Sequence, residues 1–165
     1  MRHPPVRHGV CAIIERGDGK ILLQFRCSEA WIYPNCWAFF GGGVKAGEFP
    51  HMTLRRELFA ELGFKVAHYQ LFRTAWHRKV GPNVRPFSVS DHTYRVRWHS
   101  TKVRLSEGKA SRWFTLQEAF RLRLPRHERS DLLLLQKMRR KRSPAPAQRK
   151  NMPRGSRPRG NSLSK

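Results

Sequence analysis

The sequence predicts an α/β fold in which a mixed β-sheet carries helices on both faces. Three observations support this prediction. Two β-prone runs open the chain as a hairpin, a helix with leucine at every fourth position follows, and further strands precede a closing helix. Because strands and helices occur in this mixed order, a sheet covered by helices is the architecture that buries their apolar faces. The 165 residues suffice for one domain of this kind.

The predicted hairpin uses Val10–Ile14 and Ile21–Phe25 as its strands. The segment Gly17–Gly19 separates them, and its glycine and aspartate residues tolerate the positive φ of tight turns. An aromatic-bearing loop is predicted at Cys27–Asn35, because this segment mixes turn-forming residues with tryptophan and tyrosine. A short buried strand then follows at Trp37–Phe40.

The main helix is predicted over Pro50–Leu62. Proline suits the first helical position, leucines recur at every fourth residue, and Gly63 follows as a C-terminal cap. The N-terminal cap is weak, because Phe49 offers no side-chain oxygen to the first turn.

Two further strands are predicted at Tyr69–Trp76 and Thr93–Trp98. The residues between them, His77–Asp91, are predicted to be irregular because they contain a glycine and two prolines, and a long connection of this kind could lie over a substrate. The remaining predicted elements are a strand at Arg112–Thr115, a helical turn at Leu116–Arg121 and a helix at Ser130–Arg139 with Ser130 as its N-cap.

The chain is strongly basic, with 34 Lys and Arg against 11 Asp and Glu and a net charge of +23. From residue 137 onward there are 11 basic and no acidic residues, so residues 1–136 keep a net charge of +12. Such a charge favours polyanions, although an arginine-rich solvated surface also accounts for it. We expect a tail at 1–8, a domain at 9–140 and a basic disordered tail at 141–165, whose composition cannot bury a core.

The cysteines and the apolar runs favour a soluble, cytoplasmic protein. Cys11, Cys27 and Cys36 lack metal-binding spacing, and an odd count does not fit a secreted disulfide framework. The N-terminus has no apolar signal segment. The longest aliphatic run, Leu132–Leu135, is far below the roughly 20 residues that span a bilayer. No membrane association is therefore expected.

Three of the 11 acidic residues, Glu48, Glu57 and Glu61, lie in or just before the main helix, beside three consecutive glycines. Glu57 and Glu61 are four residues apart and project from nearly one helix face. Like charges at this spacing oppose each other by roughly 0.2–0.5 kcal/mol, which favours a compensating cation. Carboxylate oxygens suit Mg²⁺ or Mn²⁺. The alternative is that Glu57 pairs with a neighbouring arginine while Glu61 is solvated.

The segment Gly42–Phe64 resembles the Nudix box of the Nudix hydrolase family. The matching positions are Gly42, Glu48, Arg56, Glu57, Leu58, Glu61, Gly63 and Phe64. The order of elements over residues 9–138 is also similar to that family's α/β/α sandwich with a mixed sheet. The resemblance implies a Mg²⁺ or Mn²⁺ cofactor and hydrolysis of the pyrophosphate linkage in a nucleoside diphosphate derivative, such as a nucleoside triphosphate or a nucleotide sugar.

The resemblance also implies roles for individual residues. Glu57 is the implied catalytic glutamate, Arg56 braces it, and Glu48 supports this cluster. The implied metal ligands are Glu57, Glu61, the backbone carbonyl of Gly41 and, from a later loop, Glu107.

Ala60 departs from the family pattern, which usually has a glutamate there. The run Ala60–Gly63 resembles the box of the GDP-mannose mannosyl hydrolases, which cleave a glycosyl carbon–oxygen bond, and His92 is the candidate base for that reaction. That branch lacks the glutamate matching Glu57. Because Arg56 and Glu57 are both present, attack at phosphorus ranks ahead of glycosyl transfer to water.

A third hypothesis is a catalytically impaired Nudix scaffold that binds RNA or nucleotides. Ala60 and the basic run Lys137–Arg142 motivate it, and nonspecific RNA contact through the basic tail would follow. The same run also suits the C-terminal end of a helix, whose dipole favours positive charge.

Substrate contacts are predicted from Arg26, Trp31 and Tyr33, which lie at the end of the second strand and in the loop after it. An arginine there can face phosphates, and the aromatic rings can stack on a base. Trp37 and Trp76 are further aromatic candidates, with packing in the core as the favoured role of Trp37.

Overall fold

The computed structural model describes residues 7–81, 84–99 and 110–142. Within these ranges seven strands form one sheet and three helices accompany it. The strands are β1 Arg7–Glu15, β2 Ile21–Arg26, β3 Cys36–Ala38, β4 Phe40–Gly43, β5 Tyr69–Gly81, β6 Val84–Arg97 and β7 Ser111–Phe114. The helices are α1 Pro50–Leu62, α2 Leu116–Ala119 and α3 Arg126–Arg142.

The sheet is mixed and is organised around β1. This strand pairs in parallel with β6 along its whole length, from the pair Arg7 and Val89 to the pair Glu15 and Arg97. Its other edge pairs antiparallel with β4 and, at the hairpin, with β2. The main strand order is β3-β2-β1-β6-β5, while β7 pairs with β2. The predicted opening hairpin and the mixed sheet are both confirmed.

Successive side chains of β1 enter two different cores. Val10, Ala12 and Ile14 belong to the cluster that contains the leucines of α1. Cys11 and Ile13 belong to the cluster that contains α2 and the leucines of α3. Because neighbouring side chains of a strand point to opposite faces, a strand buried on both faces needs a continuous apolar run. Helices therefore cover both faces of the sheet, which confirms the predicted sandwich.

The helix α1 has the predicted bounds, Pro50–Leu62. Its leucines are buried against β1, and Gly63 ends the helix in the left-handed conformation, with φ of 61°. The N–H of Gly63 donates to the carbonyl oxygen of Phe59. Phe49 makes no side-chain capping bond, as the sequence indicated.

The prediction of an irregular connection at His77–Asp91 is wrong. Strands β5 and β6 continue through most of this stretch as an antiparallel pair, with Arg78 opposite Ser88. Pro86 is accommodated because it lies in the irregular part of the ladder, between the pairs Lys79–Phe87 and Gly81–Val84.

Two other boundaries also differ from the prediction. The strand expected at Trp37–Phe40 is divided at Phe39 into β3, which pairs with β2, and β4, which pairs with β1. The last helix begins at Arg126, so Ser130 is not its N-cap. The hydroxyl of Ser130 instead donates to the carbonyl oxygen of Arg126 inside the helix.

The three cysteines are free thiols. Cys11 and Cys36 are buried, Cys27 is exposed, and all three are unpaired. Across the described ranges, no helix has the length and apolar character needed to cross a membrane.

The leucine stripe of α1 predicts a large stability difference between two neighbouring positions. Leu58 is fully buried, so Leu58→Ala should lower the free energy of unfolding by about 2–5 kcal/mol through lost burial and a residual cavity. Phe59 is 53% exposed, so Phe59→Ala should change it by about 0.5 kcal/mol or less. Urea unfolding followed by circular dichroism measures both, and equal losses would contradict the assigned helix face.

Candidate active site

Arg56 links two carboxylates at the start of α1. Its Nε and Nη2 donate to the two carboxylate oxygens of Glu48 at 2.7 and 2.9 Å, and its Nη1 donates to Oε1 of Glu57 at 2.5 Å. Glu48 also accepts a hydrogen bond from the Thr53 hydroxyl at 2.7 Å. The Arg56 bonds hold the pKa of Glu48 down at about 2. Both carboxylates are thereby fixed in position beside the N-terminal half of the helix.

The glycine run before α1 allows the loop and the helix to approach closely. At Gly42 a Cβ would lie 2.5 Å from the carboxylate carbon of Glu57. Gly41 has φ of 148°, and a Cβ there would overlap the carbonyl oxygen of Val10 in β1. At Gly43, by contrast, nothing lies within 4 Å of an added Cβ. Gly42 is therefore the glycine that makes room for Glu57.

The other residues assigned by the box take different positions. Glu61 is half-buried, one helical turn after Glu57, and Ala60 is exposed. Gly41 lies in β4 opposite Cys11 of β1. Glu107 lies outside the described residues, so its predicted role as a ligand stays a prediction. The structure thus brings Glu48, Arg56 and Glu57 together around the glycine loop.

A cleft of about 610 Å³ runs from this loop to the face of the sheet that α3 covers. Its rim is formed by the glycine run and Lys45, Ala46 and Glu48, and its far wall by α3 and β5. The lining residues of the far wall and floor include Cys11, Phe39, Lys79, His127 and Glu128. A molecule in this cleft would have one end beside the Glu48–Arg56–Glu57 cluster.

The three predicted substrate-contact residues all line this cleft. Trp31 is 54% exposed and stacks on Phe87, with nearly parallel rings 6.1 Å apart. Tyr33 donates its hydroxyl hydrogen to the carbonyl oxygen of Arg78 at 3.2 Å. Arg26 uses its Nε to hold the carbonyl oxygen of Ile32 at 2.8 Å, so part of its guanidinium braces the loop.

The two other aromatic candidates, Trp37 and Trp76, do not line the cleft. Trp37 packs edge-on against Phe25 and Phe114, in agreement with its expected packing role. Trp76 is exposed on β5.

Sequence reasoning missed the polar residues at the cleft floor. Glu128 accepts a hydrogen bond from the backbone N–H of Phe39 at 2.7 Å, and burial raises the pKa of Glu128 to about 8. Burial also lowers the pKa of His127 to about 3. Their signal in the sequence was weak, because Glu128 meets Phe39, and His127 meets His77 of β5 and Asp91 of β6, only through the fold.

The oxygen donors beside the glycine loop fit a hard divalent cation. Glu57 and Glu61 supply carboxylates from one helix face, and Gly42 leaves the space that the Glu57 carboxylate occupies. Arg56 neutralises part of the local negative charge without occupying both Glu57 oxygens in the ion pair. The donor set is thus of the type that binds Mg²⁺ or Mn²⁺.

A mixed sheet between helices, with a glycine loop opening a helix that bears paired carboxylates, defines a Nudix-type α/β/α sandwich. The NUDIX domain model matches residues 5–138, and the chain belongs to the Nudix family.

Relatives and solved structures agree with this assignment. An RNA pyrophosphohydrolase of Psychromonas ingrahamii is 36% identical over 113 residues, which make up 67% of this chain and 54% of that protein. The nucleoside triphosphatase NudI of Escherichia coli is 43% identical over 54 residues, 33% of this chain and 38% of that protein. A crystal structure of the MutT NUDIX hydrolase from Burkholderia pseudomallei has a TM-score of 0.63 at 27% identity and covers 79% of this chain and 98% of its own. The matched part of the chain thus spans about half of the Psychromonas protein and less than half of NudI.

The raised pKa of Glu128 predicts a specific pH dependence of stability. Between its ordinary pKa of 4.5 and about 8, the folded state keeps a proton that the unfolded state releases, so rising pH destabilises the fold. The loss is at most about 1.4 kcal/mol per pH unit. Glu128→Gln should remove this pH dependence. Between pH 5.5 and 7.5 the free energy of unfolding of the variant, measured by urea titration, should therefore rise relative to that of the unmodified chain. Parallel pH profiles would contradict the assignment.

Proposed function

We propose that this chain is a Mg²⁺-dependent pyrophosphohydrolase that acts on a nucleoside triphosphate or a related nucleoside diphosphate derivative. The observation that carries the proposal is the contact between Arg56 and Glu57 beside Gly42, at the rim of a cleft large enough for a nucleotide. The pyrophosphohydrolase and triphosphatase named among the relatives act on the same chemical class.

In this proposal Glu57 and Glu61 hold the cation, with further ligation from the Gly41 carbonyl and Glu107. The bound cation supplies charge stabilisation to the phosphoryl oxygens and a water of lowered pKa. Glu57 would orient the attacking water or accept its proton, and Arg56 fixes the Glu57 carboxylate. Glu48 in turn fixes Arg56 from its other side.

The cleft places the remainder of the substrate. Trp31 offers an exposed ring for stacking on a base, and Tyr33 and Arg26 shape the neighbouring wall. Lys45, beside the glycine run, supplies positive charge for phosphate groups.

Cleavage at phosphorus is favoured over cleavage of a glycosyl bond. His92, the candidate base for the glycosyl reaction, has no contact with the glycine run, whereas the Glu57 carboxylate lies directly behind Gly42, which lines the cleft. Its Nδ1 lies 3.1 Å from the Thr74 hydroxyl, and its ring stacks on His8. The Arg56–Glu57 pair, in contrast, is present and ordered by Glu48.

RNA with a 5′ triphosphate is a second candidate substrate. Two observations favour it: the net charge of +23 and the RNA pyrophosphohydrolase among the relatives.

The run Lys137–Arg142 belongs to α3, where Arg139 donates to Glu15 and to the carbonyl oxygen of Gly19. Of the tail predicted at 141–165, residues 141 and 142 belong to α3, and residues 143–165 lie outside the described part of the chain. We retain the proposed domain at 9–140 and, on the evidence of three unpaired thiols, a cytoplasmic location.

Glu57→Gln tests the catalytic assignment. The variant keeps the shape and the hydrogen-bonding oxygen of the side chain but removes its charge, so Mg²⁺-dependent turnover should fall at least about 100-fold while the fold is retained. Turnover is measured on nucleoside triphosphates, nucleotide sugars and 5′-triphosphorylated RNA, with identification of the products. Undiminished turnover of the preferred substrate by the variant would exclude Glu57 as the catalytic glutamate. Release of free sugar from a nucleotide sugar would exclude attack at phosphorus.

The glycine run provides a matched pair of variants for the geometry. Gly42→Ala should displace the Glu57 carboxylate and lower Mg²⁺-dependent turnover at least about tenfold. Gly43→Ala adds the same methyl group one residue later, where there is open space, and should leave turnover within about twofold. Equal effects of the two substitutions on turnover would show that contact with Glu57 is not the reason for glycine at 42.

A further inference from the structure

A second group of metal-ligating side chains lies on the face of β1 opposite α1. Cys11, Asp91 and His127 come from β1, β6 and α3, and one ligand atom of each lies within 4.8 Å of the other two. The Asp91 Oδ2 atom is 3.8 Å from Sγ of Cys11 and 4.0 Å from Nε2 of His127. These three residues are far apart in sequence, and the sandwich brings them together.

The strand register explains why this group is separate from the carboxylates of the Nudix box. The side chains of Cys11 and Ile13 point to the face of β1 that packs on α3, whereas the side chain of Val10 points to the face that packs on α1. Asp91 is paired with Gly9 of β1. A Cβ at Gly9 would overlap Oδ1 of Asp91, so glycine at this position makes room for the buried carboxylate.

The polar atoms of this group are deeply buried. Asp91 is 2% exposed, and its Oδ1 has no hydrogen-bond partner among the described residues. Its Oδ2 has His77 Nε2 at 2.9 Å and Lys79 Nζ at 3.0 Å. Lys79 therefore supplies the compensating positive charge in this structure. Oδ1, which faces Gly9, is the oxygen without a partner, whereas Oδ2 is the oxygen nearest Cys11 and His127.

The ligand types select a particular class of metal. A thiolate, an imidazole and a carboxylate suit Zn²⁺ and similar transition metals, whereas Mg²⁺ prefers oxygen donors only. Zinc bond lengths of about 2.0–2.3 Å place neighbouring ligand atoms roughly 3.3–3.6 Å apart in a tetrahedral site. The separations of 3.8 and 4.0 Å, and a separation between Cys11 and His127 of no more than 4.8 Å, then need to contract for all three ligands to reach one ion.

We propose that Cys11, Asp91 and His127 form a second, zinc-type metal site whose fourth coordination position opens to the cleft. Cys11 and His127 both line that cleft, so water or a ligand atom can reach the open position. The ring of His77 stacks on His127 with centroids 4.0 Å apart and positions it. This site is independent of the proposed hydrolase activity.

Metal binding at this site requires the loss of one proton and the displacement of one ammonium group. The Cys11 thiol must release its proton, because the thiolate is the ligand, and Lys79 must leave Oδ2 of Asp91. Burial, and then the charge of Asp91, raise the pKa of the Cys11 thiol well above its ordinary value. His127 is already neutral and able to ligate, because burial keeps its pKa low.

Cobalt titration of the full, chelator-treated chain tests the site. Co²⁺ in place of Zn²⁺ should give one equivalent of a thiolate-to-cobalt charge-transfer band, which oxygen-only ligation at the box carboxylates cannot give, and Zn²⁺ should displace it. Cys11→Ser should abolish the band, whereas Cys27→Ser, at the exposed cysteine, should leave it unchanged. No band at stoichiometric Co²⁺, or an equal band in Cys11→Ser, would overturn the proposal.

Two further variants keep the test decisive if Cys11→Ser impairs folding. His127→Ala retains the thiol and should weaken Co²⁺ binding at least about tenfold. Lys79→Met removes the ammonium group that competes for Asp91 and should tighten binding. Unchanged affinity in both variants, with folding verified by circular dichroism, would show that the cobalt is bound elsewhere and would overturn the proposal.

Discussion

The burial of β1 on both faces is the constraint on which the rest of the structure depends. Parallel pairing with β6 and antiparallel pairing with β4 and β2 leave this strand without a free edge. Its alternate side chains must then satisfy two cores, one under α1 and one under α3. A one-residue shift would exchange the two sets. The positions of Gly9 and Cys11 relative to the box are therefore fixed by the same register that builds the core.

The role of Arg56 is better described as positioning than as stabilisation. Its side chain is 31% exposed, and the carboxylates of Glu48 and Glu57 are each 20% exposed. Ion pairs with this degree of solvent contact contribute little to folding free energy. A guanidinium that contacts one carboxylate through two nitrogens and a second through the third does, however, restrict the orientation of all three groups. This restriction is what a catalytic carboxylate requires, because its position determines which water it can activate.

The sequence predicted those parts of the structure that depend on local patterns. The bounds of α1 followed from Pro50, the leucine spacing and Gly63, since each of these acts within a few residues. The stretch at His77–Asp91 was mispredicted because glycine and proline were weighed without the partner strand. In β6 the pairing with β1 and β5 outweighs the local preference for a turn. The start of α3 was similarly missed, because a serine in a helix was taken for its cap.

The same distinction between local and long-range information applies to the functional residues. The box residues are close in sequence and could be assigned by their spacing, whereas Cys11, Asp91 and His127 are separated by 80 and 36 positions. The spacing of the cysteines indicates no metal site. Such spacing reports only on ligands that lie close together in the sequence, and not on ligands that the fold brings together. Residues joined by a sheet and a distant helix leave no periodic signal. Only the register of β1 against β6, together with the packing of α3, shows that their side chains share one buried environment.

The two ends of the cleft differ in a way that suits a two-part substrate. The end at the glycine loop holds the ionised carboxylate of Glu48, whose pKa is lowered by Arg56. At the other end, burial raises the pKa of Glu128 to about 8 in spite of the hydrogen bond from Phe39. This carboxyl group is therefore mostly uncharged at neutral pH. Charged groups of a ligand are therefore better accommodated at the first end, where a cation can join them, and uncharged polar groups at the second. For the nucleotide substrate proposed above, this difference favours an orientation with the phosphates at the glycine run and the base toward α3.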